Sequence, residues 1–291
     1  MRNVPVDTTG VAVLGPNVPS DAADLYAVLG GSNEITHTLI YGDTGAGKSS
    51  GAATWPTPML VCFFDPWAKE RPYIVDPRTR QPRGQQAAVM TNDGIPVQVV
   101  HVPGDPGALL YRIEHFNDTQ ARKPAAFARF YERLTTLSED VWAWGIKTVV
   151  VDSVTFMELA SRKQHQYVLN PTARDPRQWF GGATDALEEI LITQLGALPI
   201  NVVVVAHVDD DRVDVHGASI RVPAAPGRLT RRRELPSAFS ELYRAYPMPG
   251  EKGQELYVWQ TRSDGEFIAA SQVGAPNPCP QDYRALWLRA G

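Results

Sequence analysis

A glycine-rich octapeptide is the segment of this 291-residue chain whose residue types and spacing point most directly to chemistry. Gly42–Ser49, with the sequence GDTGAGKS, fits the pattern GxxxxGK[ST]. In that pattern the backbone N–H groups cradle phosphates, the lysine reaches the β- and γ-phosphates, and the final hydroxyl takes one Mg²⁺ position. The segment therefore predicts ATP and Mg²⁺ as ligands, with the nucleotide held by Gly42, Asp43, Thr44, Gly45, Ala46, Gly47, Lys48, Ser49 and Ser50.

Acidic residues follow two other apolar runs of strand length. Asp152 ends the run Thr148–Val151, and a carboxylate at such a strand end holds Mg²⁺ through water in P-loop sites. It can also cap the following helix, and both roles can coexist. Ser153 stands where many P-loop ATPases have a glutamate base, so hydrolysis is slow or another residue is the base. Asp65 is the candidate base and Glu70 the alternative, while an Asp-Pro turn is the competing interpretation of Asp65.

A histidine follows a third apolar run. His207 comes directly after Asn201–Ala206, and ligands of open parallel sheets lie outside the carboxyl ends of the strands. We therefore expect His207 to sense the γ-phosphate or to position water, the alternative being a strand-end histidine without a role. The predicted catalytic residues are thus Lys48, Asp152, Asp65 and His207, and the predicted metal ligands are Ser49 and Asp152.

The elements that must position these residues form an alternating pattern. Short apolar runs predict strands at Thr36–Tyr41, Met59–Phe64, Val97–Val102, Thr148–Val151 and Asn201–Ala206. Helical spacing of apolar residues predicts helices at Pro106–Phe116, Ala125–Leu137, Phe156–Val168 and Asp185–Leu195. This alternation predicts an α/β fold, a P-loop NTPase with a mainly parallel sheet and helices on both faces. Beyond residue 208 the pattern predicts a β-rich extension, with strand-like pieces at Leu256–Gln260 and Phe267–Ala270 and a short helix or strand at Asp282–Leu288.

Composition shifts divide the chain into three predicted regions. Residues 1–34 form an N-terminal arm, and residues 35–230 form the ATPase core. The core carries a polar insertion over residues 69–92, which we expect to be a hairpin or a mobile segment. Residues 231–291 form a C-terminal helix and β-hairpin extension of the same domain.

Overall composition excludes several classes of protein. No run of about 18 apolar residues is present, so a membrane span is not expected. Two cysteines are too few for a disulfide framework, and the first residues do not read as a secretory signal. The expected location is therefore the cytoplasm, or the host cytoplasm if the chain is phage-encoded. The net charge of −4 argues against coating DNA with the whole surface but permits a local basic groove.

Three segments resemble RecA-like ATPases: YGDTGAGKSS, VVVDSVT and VVVVAHV. The similarity is greatest to the phage AAA-type P-loop ATPases of the single-strand annealing and recombination group. Pro226–Tyr246 also resembles that group, in which a Leu-Pro pair begins a helix with aromatic anchors. The resemblance implies slow or DNA-stimulated ATP hydrolysis, single-stranded DNA as ligand, and self-assembly into homo-oligomeric rings or filaments. A single-strand-binding or recombination protein is a further implied partner. Asp65 departs from the group, which usually has a glutamate there, and the insertion is longer than expected.

Basic clusters are the candidates for DNA contacts or for a finger reaching a neighbouring subunit's γ-phosphate. These candidates are Arg228, Arg231, Arg232, Arg233, Lys252 and Arg262. A solvated loop is the competing interpretation of the arginine run. Arg78, Arg80 and Arg83, in the insertion, could likewise form either a strand-binding loop or a solvated one.

Other functions remain open from the residues alone. A P-loop kinase acting on a small molecule or nucleotide would use the same loop, with an arginine-bearing lid. A non-hydrolytic ATP-binding regulatory module is consistent with Ser153 in place of a glutamate. A GTPase is disfavoured because no [NT]KxD tetrad is found, and a packaging motor because its Walker B strand is normally followed by glutamate.

Overall fold

The computed structural model describes residues 35–65, 70–90, 94–120, 122–212, 219–224, 234–250 and 253–287. Twelve strands in this part of the chain form one sheet. They are β1 (His37–Gly42), β2 (Met59–Phe63), β3 (Gln85–Met90), β4 (Pro96–Val102), β5 (Asp105–His115), β6 (Thr148–Asp152), β7 (Asn201–Arg212), β8 (Ser219–Pro223), β9 (Glu241–Pro249), β10 (Glu255–Gln260), β11 (Ala270–Ser271) and β12 (Cys279–Pro280).

The centre of this sheet is parallel and its two sides are antiparallel. The strand order is β12-β10-β9-β1-β7-β6-β2-β5-β4-β3, with β11 on β9 and β8 on β7. Every neighbour pair from β9 to β5 is parallel, whereas β3 pairs antiparallel with β4, and β10 with β9. The predicted α/β class with a parallel sheet and a β-rich C-terminal extension is confirmed, and the extension continues the sheet of the core.

Continuous burial explains why the central strands contain runs of β-branched residues. Val149–Val151 in β6 and Val202–Val205 in β7 are buried along their whole length. A strand with both neighbours parallel and both faces covered favours apolar side chains at every position. The predicted strands β1, β2, β4, β6 and β7 are therefore confirmed, with shifts of one residue at some ends and a longer β7.

Helices connect the strands. They are α1 (Lys48–Ala52), α2 (Arg71–Ile74), α3 (Ala126–Ala143), α4 (Val154–Gln164), α5 (Arg177–Glu188) and α6 (Glu234–Ser237). π-Helical turns at His165–Leu169 and Glu189–Gln194 extend α4 and α5, and a 3₁₀ helix covers Tyr283–Trp287. The predicted helices near 125–137, 156–168 and 185–195 are confirmed. No helix among the described residues is long and apolar enough to span a membrane.

One predicted helix is a strand, and a second is much shorter than expected. Residues Pro106–His115 of the first lie in β5, which pairs with β2 on one side and β4 on the other. The helix expected after Leu235 is limited to the single turn of α6, and the chain from Glu241 onward is β9, parallel to β1. In both cases pairing with other strands of the sheet, β2 and β4 for β5 and β1 for β9, overrides the local expectation.

The insertion and the C-terminal extension also differ in detail from expectation. Residues 70–90 of the insertion contain α2 and β3, and β3 pairs with β4 at the end of the sheet. In the extension, the Phe267–Ala270 strand is reduced to β11, with an isolated bridge between Phe267 and Arg221. The predicted N-terminal arm, residues 1–34, lies outside the described residues.

Candidate functional site

The glycine-rich loop joins β1 to α1 and has a backbone that only glycine adopts readily. Gly45 has a φ of 85° and Gly47 a φ of 83°, both in the left-handed region. The Ala46 N–H between them donates a hydrogen bond to the Asp43 carbonyl (3.2 Å). Left-handed glycines of this kind create concave backbone nests whose N–H groups bind anions. The loop therefore has the backbone conformation that the sequence pattern predicts.

Lys48 lies in this loop with its side chain almost wholly buried. Only 7% of the residue is exposed. Its Nζ donates hydrogen bonds to the carbonyl oxygens of Gly42 (2.9 Å) and Asp43 (2.8 Å). The ammonium group is thus held at the loop itself, where a phosphate would be an additional and stronger partner for its charge.

Strand register explains how residues far apart in sequence meet at one edge. β1, β7, β6 and β2 are consecutive in the sheet. Gly42 at the end of β1 is in register with His207 on β7, and Asp152 at the end of β6 is in register with Phe63 of β2. Asp65 follows two residues later. The loop, Asp152 and Asp65 thus lie at the carboxyl ends of β1, β6 and β2. His207 is not at a strand end as predicted, because β7 continues to Arg212, but it lies where the parallel pairing of β7 with β1 ends.

Two buried carboxylates lie beside each other at this edge. Asp152 is 2% exposed and Asp65 is 6% exposed. The Tyr73 hydroxyl donates to Oδ2 of Asp152 (2.8 Å), and the Ser153 hydroxyl donates to Oδ1 of Asp65 (2.6 Å). Ser49 lies near enough to Asp152 to lower the pKa of that carboxyl, and both residues line one cavity, which brings the two predicted metal ligands together.

The electrostatics of the carboxylate pair favour binding of a cation. Burial and the nearby charge of Asp65 raise the pKa of Asp152 to about 6, although Ser49, Tyr73 and Lys48 oppose the shift. Burial, together with the adjacent Asp152, raises the pKa of the Tyr73 phenol well above its ordinary value, so this phenol remains a hydrogen-bond donor. A divalent cation beside the two carboxylates would relieve their repulsion.

The donor set fits Mg²⁺ better than an ion enclosed entirely by protein ligands. Across the described residues no group of three or more His, Cys, Asp or Glu side chains could hold a metal. Mg²⁺ usually keeps several waters and binds through one or two carboxylates plus the phosphates of a nucleotide. Asp152 and the Ser49 hydroxyl match that requirement.

A cavity of about 300 Å³ brings all four predicted catalytic residues together. Its lining includes Lys48, Asp65, Asp152 and His207, together with Ser49 from the loop. The backbone N–H of His207 donates to the Thr155 hydroxyl (3.0 Å), which fixes the chain at the end of the predicted strand.

The other predicted residues are placed less favourably. Glu70 is absent from the cavity lining and acts electrostatically on His115, so the geometry favours Asp65 over Glu70. Arg262 is exposed and does not line the cavity. The remaining finger candidates lie outside the described residues: Arg228, Arg231, Arg232, Arg233 and Lys252.

A larger cleft of about 950 Å³ borders the same loop. Gly45, Gly47 and Ser50 line it on the loop side, and residues of β10 and the C-terminal segment line it elsewhere. Gln281 connects the two parts, because its Nε2 donates to the carbonyl oxygens of Ala46 (2.9 Å) and Val258 (3.0 Å). A side chain at position 47 would collide with Gln281.

The arginines of the insertion also line this cleft, and two of them contact protein groups. Arg78 pairs with Asp282 (2.9 Å), and the Arg83 guanidinium lies over the ring of Tyr111. The third, Arg80, has a left-handed backbone, with a φ of 58°.

Tyr73 and Gln281 contact the site but were not predicted from the sequence. Each contacts the site from outside the core motifs, Tyr73 from α2 of the insertion and Gln281 from just after β12. Neither residue type nor spacing marks a lone tyrosine or glutamine as part of a phosphate site. The length of the insertion was the one signal pointing toward Tyr73.

Comparison with solved structures gives distant structural neighbours. No protein-family model and no curated protein matches the chain. A KaiC-like protein from the archaeon Pyrococcus horikoshii is 14% identical, with 80% of this chain and 81% of that chain covered and a TM-score of 0.36. A flagellar accessory protein, FlaH, from Methanocaldococcus jannaschii is 11% identical, with coverages of 86% and 88% and a TM-score of 0.35.

A third neighbour is an ATPase from the type III secretion system of pathogenic bacteria. It is 13% identical, with 72% of this chain aligned to 51% of that chain and a TM-score of 0.44. Similarity at this level assigns neither an activity nor a partner, so the functional argument depends on the residues of the site.

Proposed function

We propose that this protein is a RecA-like ATPase that binds ATP with Mg²⁺ in the cavity at the carboxyl edge of the sheet. The observation that carries the proposal is the convergence of Lys48, Asp65, Asp152 and His207 on the glycine-rich loop. These residues lie where the parallel pairing of four adjacent strands ends, which is the edge at which open α/β sheets bind ligands.

Each side chain has a distinct role in this proposal. The loop N–H groups and Lys48 hold the phosphates, and Ser49 and Asp152 hold Mg²⁺. The ion, when bound, neutralises charge that develops on the phosphates. The nucleoside extends into the larger cleft, which begins at Gly45 and Gly47 of the same loop.

Hydrolysis requires a group that accepts a proton from water. Asp65 is the best placed carboxylate, because it is buried at the cavity and held by the Ser153 hydroxyl. His207 lines the same cavity and is proposed to sense the γ-phosphate. Since Ser153 occupies the position of the usual glutamate base, we expect turnover to be slow or to depend on a partner.

Single-stranded DNA is the proposed partner, in phage-type recombination or annealing, with assembly of several copies into a ring or filament. The support is the resemblance of the three motif segments and the arginine-rich stretches of the sequence. The insertion adds less support, because Arg78 is paired with Asp282 and Arg83 contacts Tyr111.

The test is ATP hydrolysis by the full chain, with and without single-stranded DNA, at two salt concentrations. If single-stranded DNA stimulates hydrolysis and the stimulation weakens at high salt, the proposed DNA partner is supported. Transfer of labelled γ-phosphate to a molecule other than water would instead show a kinase. Binding without turnover in any condition would show a regulatory module.

Lys48→Ala tests the site itself. We expect ATP affinity to fall about 100-fold, because hydrogen bonds to a charged group each contribute about 1.5–3 kcal/mol. Lys147→Ala is the matched control, since Lys147 is an exposed lysine at the opposite end of β6. The affinity of each variant is measured by equilibrium binding of a fluorescent ATP analogue. Unchanged affinity in Lys48→Ala overturns the assignment of the loop as the phosphate site.

A further inference from the structure

One phenol from the insertion contacts the carboxylate that is proposed to hold Mg²⁺. Tyr73 lies in the four-residue helix α2, and its side chain is fully buried. Its hydroxyl donates to Oδ2 of Asp152 (2.8 Å), across 79 residues of sequence. We propose that Tyr73 is a positioning residue that orients Asp152 for Mg²⁺–ATP, an inference that rests on the proposed function.

The geometry explains why this contact matters for a metal ligand. The carboxylate of an aspartate rotates about the Cβ–Cγ bond, and a hydrogen bond to one of its oxygens restricts that rotation. Outer partners of metal ligands commonly act in this way, by fixing the orientation in which the ligand meets the ion. Ser49 lines the same cavity as Asp152 on the loop side, so the phenol holds the carboxylate at the edge where the second proposed metal ligand lies.

The insertion itself holds the phenol in place. The Arg83 side chain donates to the Pro72 carbonyl (2.9 Å), and the Arg83 N–H donates to the Ile74 carbonyl (2.8 Å). The Tyr73 ring also packs near Tyr111, with ring centroids 6.3 Å apart. The segment between β2 and β4 therefore supports the nucleotide site rather than being a neutral surface addition.

A second buried phenol–carboxylate pair provides a matched control. The Tyr243 hydroxyl donates to Glu241 within β9, and both residues are fully buried. Neither lines the cavity or the larger cleft. Removing the Tyr243 hydroxyl thus repeats the chemical change of Tyr73→Phe at a place with no proposed role in binding.

The experiment measures affinity for a fluorescent ATP analogue in the full chain, with excess Mg²⁺ and with EDTA. Tyr73→Phe is expected to reduce the gain in affinity that Mg²⁺ provides by about tenfold. Affinity in EDTA should stay at the wild-type value, because the loop and Lys48 are untouched. Tyr243→Phe should leave both affinities unchanged.

A double-mutant cycle with Asp152→Asn provides a second measurement. If Tyr73 acts through Asp152, the hydroxyl deletion has no further effect on Mg²⁺-dependent affinity in the Asn background. Equal losses with and without Mg²⁺, a similar loss in Tyr243→Phe, or full additivity in the cycle would overturn the positioning role.

The two proposals fail in different ways. A wild-type chain that does not bind the analogue in Mg²⁺ contradicts the proposed function and this inference with it. A wild-type chain that binds with a clear Mg²⁺ gain, together with a Tyr73→Phe variant that shows the same gain, contradicts this inference alone.

Discussion

Two buried acidic regions of the same sheet are built in opposite ways. Glu114, on β5, is fully buried and accepts hydrogen bonds from Nε of Arg112 (2.6 Å) and Nε of Arg133 (2.8 Å). Asp152, on β6, is equally inaccessible but lies beside a second carboxylate, that of Asp65. One acid is held between two fixed guanidinium groups, whereas the other is held against a like charge.

The contrast separates a structural acid from a candidate functional one. The Arg112 guanidinium also lies 4.4 Å from the ring of Trp144, so the Glu114 cluster satisfies its own charges within the fold. Like charges that are buried together cost stability and raise a pKa, and such arrangements are concentrated at functional sites. The Asp152 and Asp65 pair is the part of the sheet edge that gains most from a bound cation.

The largest expected effect breaks the Glu114 cluster. Glu114→Gln leaves Arg112 without its carboxylate and Arg133 with Asp140 alone (2.7 Å), and removing one partner of a buried ion pair costs about 3–5 kcal/mol. We expect the free energy of unfolding to fall by about that amount in urea titrations. ATP affinity of the folded fraction should remain at the wild-type value. A loss below about 1 kcal/mol would contradict the structural role of the cluster.

The second prediction applies the same amide substitution to the other region. Asp152→Asn removes a buried charge beside Asp65, so the free energy of unfolding at neutral pH should stay level or rise. Mg²⁺-dependent ATP affinity should instead fall about 100-fold, as expected for a residue that supports a bound metal. Urea titration and analogue binding measure the two quantities. If Asp152→Asn instead lost much of its stability and kept its Mg²⁺-dependent ATP affinity, Asp152 would be a structural acid like Glu114.

The smallest effect concerns pH in the absence of Mg²⁺. The pKa of Asp152 is raised from its ordinary value of 3.8 to about 6, by burial and by Asp65. The folded state then binds this proton more tightly than the unfolded state does. The free energy of unfolding should therefore decrease as pH rises from about 4 to about 6, by about 2 kcal/mol from this group.

Asp152→Asn serves as the control for that titration. The difference in unfolding free energy between wild type and the variant, measured at pH 4.5 and pH 7, isolates the contribution of Asp152. Addition of Mg²⁺ should reduce the difference, because the cation stabilises the ionised pair. A difference that does not change with pH would show that Asp152 titrates normally.

Most of the candidate site could be predicted because its residues follow simple rules of sheets. A polar residue that directly follows a buried parallel strand lies at the carboxyl edge, and this rule identified Asp152, Asp65 and His207. The loop was recognisable because its glycines and lysine are close together in the chain. Their roles in binding and hydrolysis stay predictions until the experiments above are made.

The misassigned elements share one physical cause. β5 and β9 obtain their structure from pairing with other strands: β5 pairs with the preceding β4 and with the more distant β2, and β9 lies beside β1 although about 200 residues separate them. Local periodicity cannot show such pairing, so apolar spacing in 106–116 and the Leu-Pro start near 235 favoured helices. The secondary structure of β5 and β9 is therefore set by their pairing in the sheet and not by the local sequence of each segment.

The sequence by itself determined the glycine-rich loop, the central buried strands and the polar residues that end them, because each depends on short-range patterns of burial and backbone freedom. Only the tertiary structure decided that Tyr73 supports Asp152 and that Gln281 holds the loop at Ala46. Those contacts join segments 79 and 235 residues apart. They exist because the folded sheet brings its insertion and its last strands to the same edge, which no local pattern of side chains encodes.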